Sequence, residues 1–313
     1  MEYRSLGRTG LEVSTLCLGT VKFGKATPED ECRAILERAI DAGINFIDTA
    51  YVYGNSEAII GKTLERSGQR DAVYIATKIQ PMANDRHTIV RQCEESLRRL
   101  RTDVIDLLQL HRPNPDIPID ESLRALDDLI RAGKVRHIGT SGFKAWQILE
   151  GLWVAKELGL NRFASEQSVY SLLARGIEVE VVPMCITYGV GLMLWSPLGG
   201  GVLTDRYTRE NPPDHVELSE QEWRVIEKVR ELARARGCTA SQFALAWCLA
   251  QPGVTCPIAG PRTLEQLEDN LGALDVEITD EDREALDEVA PPGWTSRRRW
   301  LGLKFGRPHK HRW

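Results

Sequence analysis

Leu16-Cys17-Leu18-Gly19-Thr20-Val21-Lys22-Phe23-Gly24 separates two architectures for this chain. It starts as a short apolar run, the form of a buried parallel strand, and it ends without the order G-x-G-x-x-G. An open, doubly wound sheet that holds a dinucleotide places that Gly-rich turn after its first strand. Its absence favours a closed sheet. Further along, β-branched runs predict strands near 16–19, 44–48, 73–77, 104–110, 135–139, 163–166, 192–196 and 256–259. Between them lie helical segments near 28–42, 56–66, 86–100, 119–132, 144–158, 172–188, 239–250 and 263–272. This alternation is the sequence form of repeated βα units, and eight of them predict an α/β fold, the (β/α)8 TIM barrel.

On either side of that frame are additions. Tyr3-Arg4-Ser5-Leu6 and Leu11-Glu12-Val13 flank Gly7-Arg8-Thr9-Gly10 and read as an N-terminal β-hairpin. Two extra helices, near 219–236 and 280–289, break the strict alternation. Thr27-Pro28-Glu29-Asp30 and Ser219-Glu220-Gln221-Glu222 carry helix-start chemistry, with acids near the positive end of the helix. The expected division is a barrel over 1–290 and a basic tail over 291–313.

Composition excludes several classes. Of 313 residues, 42% are hydrophobic, ample for a large core, and the charge of −5 gives no basis for nucleic-acid binding. No apolar run reaches the roughly 18 residues of a membrane span. Met1-Glu2-Tyr3-Arg4 leads into no apolar signal segment, and the seven cysteines are scattered without a Cys-x-x-Cys pair. Reduced thiols in a cytoplasmic protein are therefore expected, with no structural metal and no membrane attachment. No sequence feature specifies an oligomeric state. The tail departs from the average, with seven Lys or Arg and no acid in residues 291–313.

Three strand candidates stop on a chemically useful residue. Ile44-Asn45-Phe46-Ile47 runs into Asp48, Val73-Tyr74-Ile75-Ala76-Thr77 into Lys78, and Val104-Ile105-Asp106-Leu107-Leu108-Gln109-Leu110 into His111. Tyr53 follows in the turn after Asp48. Reducing a carbonyl requires a hydride at carbon and a proton at oxygen, from an acid within hydrogen-bond reach. A tyrosine titrates near 10 in isolation. An adjacent Lys78 ammonium would lower that value, a paired Asp48 would keep the lysine charged, and His111 would orient the carbonyl. Tyr51 competes with Tyr53 as the acid, and spacing alone does not choose between them.

With these residues in view, the chain resembles the aldo-keto reductase family over about residues 2–290. The resemblance runs through Leu6-Gly7-Arg8-Thr9-Gly10, Asp48-Thr49-Ala50-x-x-Tyr53-Gly54, Ala76-Thr77-Lys78, Leu107-Leu108-Gln109-Leu110-His111, Ile138-Gly139-Thr140-Ser141, Trp195-Ser196-Pro197-Leu198 and Pro257-Ile258-Ala259-Gly260-Pro261-Arg262. It implies an oxidoreductase (EC 1.1.1.-) that uses NADP(H), with NAD(H) disfavoured, to reduce an aldehyde or ketone to an alcohol. It also implies Tyr53 as the general acid, because the family's acid precedes the glycine.

The resemblance further assigns cofactor contacts. Ser141 and Gln167 would hold the nicotinamide carboxamide, Trp195 would stack on the ring, Gly19 and Thr20 would lie near the nicotinamide ribose, and Asp48 would also contact the cofactor. Ser196, Leu198 and Gly201 would cross the pyrophosphate. Gly260, Arg262, Gln266 and Asn270 would hold the adenosine half, with Arg262 on a 2′-phosphate and no acid at the matching place. One departure is Ser141-Gly142, where the family commonly has Ser-Asn, which removes an amide partner of the carboxamide. A second is the lack of Lys or Arg at Gly260 and Gln266. The third is the tail from Trp294, whose arginines would suit an anionic substrate. Two alternatives follow: an NADP(H)-binding regulatory subunit with negligible turnover, of the kind attached to membrane channels, and a reductase of keto-sugar nucleotides.

Overall fold

The computed structural model describes residues 1–214 and 216–296. The hairpin comes first, with β1 (Tyr3–Ser5) antiparallel to β2 (Glu12–Ser14). The barrel strands follow as β3 (Cys17–Gly19), β4 (Phe46–Asp48), β5 (Tyr74–Lys78) and β6 (Ile105–Leu110). They continue as β7 (Val135–Ser141), β8 (Phe163–Val169), β9 (Gly191–Trp195) and β10 (Val254–Ala259). All pair in parallel, and β10 closes on β3 to complete the ring.

Around the ring lie α1 (Glu29–Asp41), α2 (Ser56–Ser67), α3 (Arg86–Leu100), α4 (Ile119–Arg131) and α5 (Ala145–Leu158). The second half carries α6 (Val181–Tyr188), α7 (Glu220–Ala235), α8 (Ala240–Leu249), α9 (Leu264–Leu271) and α10 (Asp280–Val289). The fold is the expected (β/α)8 barrel with its hairpin and with α7 and α10 outside the alternation.

Burial on both faces explains why the strands read as apolar runs rather than as an alternation. One apolar layer fills the space between strands and helices, including Leu18, Ile47, Ile75, Leu108 and Ile138. A second fills the barrel interior with Cys17, Phe46, Ala76, Leu107, Met193 and Cys256. Leu6, Leu11 and Val13 of the hairpin join that interior layer, so the hairpin plugs the end where the strands begin. The opposite end, where the strands finish, is left to carry polar groups. Register lines them up: Gly19 is opposite Asp48, Lys78 opposite Gln109, Ser141 opposite Gln167, and Val169 opposite Trp195.

The structure differs from the sequence reading at 172–188. Only Val181–Tyr188 is α-helical there, after a short 3-10 turn at Gly176–Glu178. Leu172, Leu173 and Ala174 are apolar because they are buried in a loop, not because they line a helix. That loop receives the chain end: Ala174 bridges to Thr295, and Ser296 donates its amide to Leu173 and its hydroxyl to Glu222. The packed body therefore continues past 290 to Ser296, and the rest of the expected tail, 297–313, lies outside the described residues. At the start of α1 the acids are in place, but Thr27 does not cap the helix; its hydroxyl donates to the Arg262 carbonyl.

Candidate active site

Asp48 ends β4 and Lys78 ends β5, on neighbouring strands and with both side chains buried. Lys78 Nζ lies 2.7 Å from each Asp48 carboxylate oxygen and 2.8 Å from the Thr49 carbonyl, so all three ammonium protons are used. Gln167 reaches from β8 and donates its amide to Asp48 Oδ1 at 2.7 Å. A second layer holds the turn behind them. Thr20 donates to the Asp48 carbonyl at 2.8 Å, and Ser56 on α2 donates to Thr20 at 2.8 Å. The buried carboxylate of Glu57 takes the Thr77 hydroxyl at 2.7 Å and an Arg99 contact at 3.3 Å.

Tyr53 stands over this pair, with Lys78 Nζ 5.2 Å from its ring centroid and the His111 ring edge-on at 6.0 Å. Tyr51 is occupied elsewhere. Its hydroxyl bonds to Glu95 of α3 at 2.5 Å, and the Arg99 guanidinium lies 4.3 Å from its ring. Of the two tyrosines, Tyr53 is the one beside Lys78 and His111.

The electrostatics corrects one expectation. Burial raises the Tyr53 phenol above its ordinary value; Lys78 pulls it down and Asp48 pushes it up, and the net direction is upward. The expected acidic phenol is therefore not the state of this pocket, because desolvation outweighs the cation. Burial alone would lower Lys78, but Asp48 and Tyr53 more than offset it and its pKa rises. His111 goes the other way: burial, with Lys78 and Arg112 nearby, lowers it to about 3. It is thus a neutral imidazole at physiological pH, able to donate one hydrogen bond and accept another.

The residues expected to hold a cofactor line the same strand-end face. Ser141 closes β7 and donates its hydroxyl to the Gln167 carbonyl at 3.1 Å, while Trp195 closes β9 half-buried. Among the described residues, Trp195 Nε1 and His111 Nδ1 are buried at this face without a hydrogen-bond partner. Beyond Trp195 the backbone turns left-handed at Ser196 (φ 59°) and at Gly199, Gly200 and Gly201. Leu198 and Gly199 pass from right- to left-handed conformation, the backbone form of an anion-binding nest, with the Gly199 and Gly201 amides donating to the Ser196 and Leu198 carbonyls within the turn. A side chain at Gly201 would meet nothing within 4 Å, so space lies open in front of that turn. An unpartnered indole N–H, an aromatic face and open space before a glycine turn fit a nicotinamide dinucleotide.

The adenosine segment is built differently. Gly260 follows β10 in the open, while Arg262 and Gln266 are exposed and Asn270 is buried. The Arg262 amide donates to the Gln266 side chain at 2.9 Å, and Thr263 caps α9. The sequence reading placed no acid here, yet Glu31 of α1 accepts the Leu264 amide at 2.7 Å. That contact spans 233 residues of sequence, which is why linear inspection missed it.

Two other residues escaped sequence reasoning. Gly142, whose left-handed φ of +69° favours glycine, packs against Arg112: a Cβ there would lie 2.5 Å from Arg112 Nη1. Arg112 Nη1 is 3.4 Å from the Ser141 hydroxyl, and its guanidinium is 5.4 Å from the Trp195 ring. Glu166, wholly buried on β8, accepts from Thr140, Ser168 and the Gly142 amide, and burial pushes it up to about 7. The signal for Arg112 was its position directly after His111; Glu166 gave none beyond preceding Gln167.

Comparison with known proteins agrees with this picture. The sequence profile of the Aldo/keto reductase family matches residues 15–291. An uncharacterized oxidoreductase of Bacillus subtilis (strain 168), YrpG, is 39% identical over 94% of this chain and 97% of its own. A probable voltage-gated potassium channel subunit beta of Arabidopsis thaliana is 36% identical over 88% of the chain and 92% of its own length. A protein of the same description from Oryza sativa subsp. japonica is 35% identical over the same shares.

Proposed function

The chain belongs to the aldo/keto reductase family and is an oxidoreductase, and from that premise we propose that it reduces an aldehyde or ketone to an alcohol at the expense of NADPH. The observation that carries this reading is the placement of Tyr53 beside a buried, fully bonded Lys78–Asp48 pair and edge-on to a neutral His111. Ser141, Gln167 and Trp195 would hold the nicotinamide of NADPH and the turn from Ser196 to Gly201 its pyrophosphate, and the cofactor so held would supply the hydride. Tyr53 donates the proton to the forming alkoxide. Its raised pKa keeps that proton in place until charge develops on the substrate oxygen, when Lys78 stabilises the tyrosinate left behind. Asp48 and Gln167 fix Lys78 rather than touch substrate. His111 donates a hydrogen bond that orients the carbonyl.

Arg262 supports NADPH over NADH, and Glu31 at the same helix start opposes it. The free, mostly buried cysteines support a cytoplasmic setting. The test is loss of NADPH absorbance with a panel of carbonyl compounds, for wild type and Tyr53→Phe. The expected result is turnover in the first and loss of about a hundredfold or more in the second; equal rates would remove Tyr53 from its role. The plant relatives favour a second reading, a cofactor-binding channel subunit with negligible turnover. Tight NADPH binding, no turnover on any carbonyl and stable co-purification with a channel would favour it.

A further inference from the structure

Arg112 follows His111 at the end of β6 and has no task in the chemistry above. Its guanidinium is half-buried, and a buried cation is costly unless it is paired. Yet among the described residues its hydrogen bonds are to neutral groups, the His111 carbonyl at 3.3 Å and the Ser141 hydroxyl at 3.4 Å, and its guanidinium lies 5.4 Å from the Trp195 ring. Among the described residues, no carboxylate lies within ion-pair distance. Glu166 is the acid whose field reaches it, but the Glu166 oxygens are taken by Thr140, Ser168 and the Gly142 amide. The charge of Arg112 acts on both Tyr53 and His111, so the guanidinium stands on the same pocket as the reacting groups. Gly142 leaves room for it in this position, since a Cβ there would lie 2.5 Å from Nη1 and the guanidinium would have to shift.

We propose that Arg112 binds a carboxylate carried by the substrate, so that the preferred substrates are carbonyl compounds bearing a carboxylate rather than neutral aldehydes and ketones. This rests on the carbonyl-reductase reading and deepens it. An arginine offers only donors, in a planar fork that matches a carboxylate, and the substrate would bring the negative charge that the protein withholds. Arg112 is here a specificity residue, distinct from the proton donor.

Steady-state rates with para-carboxybenzaldehyde and its methyl ester, at saturating NADPH, test the idea. Wild type should favour the carboxylate, and Arg112→Met should remove about ten- to a hundredfold of that preference, mainly through KM. Arg112→Lys, which keeps the charge and loses the fork, should retain part of it. A wild type that prefers the ester, or equal losses on both substrates in Arg112→Met, overturns the proposal. If no carbonyl is reduced at all, the parent reading fails instead, and calorimetric binding of benzoate to the NADPH complex still decides. Benzoate binding that is lost in Arg112→Met and kept in part by Arg112→Lys upholds the carboxylate site; equal binding to all three removes it.

Discussion

The β4–β5 tips and the β10–α9 junction serve the two halves of one extended cofactor in our reading, and they are built to opposite rules. At β4 and β5 a carboxylate and an ammonium are buried together, and every ammonium proton has an acceptor inside the protein. At β10 and α9 the candidate cation, Arg262, is exposed, and the helix start is already satisfied by Thr263 and by Glu31 from α1. Buried charges must be paired with good geometry or they destabilise the fold, whereas exposed ones are screened and contribute little. The reacting end is therefore fixed by the fold itself. The far end can shift its preference by small changes in surface charge.

Breaking the buried end should have the largest consequence. Lys78→Met leaves Asp48 charged and buried with only Gln167 as a side-chain donor, and should cost about 3–5 kcal/mol of stability. Denaturant unfolding checks this; a loss below about 1 kcal/mol, the range of exposed pairs, would erase the contrast between the two ends.

A somewhat smaller effect is expected at Glu166. Its pKa is raised from 4.5 to about 7, so its contribution to stability is fully present below about 4.5 and is lost as pH rises through 7. Glu166→Gln should relieve about 3 kcal/mol of that pH-dependent loss above pH 8 and flatten the profile of Tm against pH between 5 and 9. An unchanged profile would show that Glu166 titrates normally.

The exposed end should yield the smallest effect, and in opposite directions. Arg262→Ala should weaken NADPH several-fold while leaving NADH nearly unchanged, and Glu31→Gln should strengthen NADPH by a few-fold, as expected for surface charges worth under about 1 kcal/mol. Fluorescence titration with both cofactors separates them, and the differences should shrink at high salt. Effects as large as those at Lys78 would mean that the junction is buried when the cofactor is bound.

The candidate reacting groups were legible in the chain because an apolar run that stops on a polar, titratable residue is conspicuous. Asp48, Lys78 and His111 were found that way, and the absence of a Gly-rich turn after Leu18 sufficed to choose the closed sheet. The unreadable parts were contacts between distant segments. Nothing local in Glu31 announces α9, and nothing local in Gly142 announces the Arg112 guanidinium that occupies its side-chain space. Composition also misled at 172–174, where burial in a loop imitated a helix face. The electrostatic balance at Tyr53 was misjudged for a related reason, since the list of neighbouring charges says nothing about the water they have lost.

The central claim is that Tyr53 gives up its proton as hydride reaches the carbonyl carbon. Rapid mixing of the preformed NADPH complex with a carbonyl substrate, for wild type and Tyr53→Phe, reads that step in a single turnover. The account predicts NADPH affinity within about twofold and a hydride-transfer rate lower by about a hundredfold or more in the variant. Equal transfer rates from two equally loaded enzymes would contradict it.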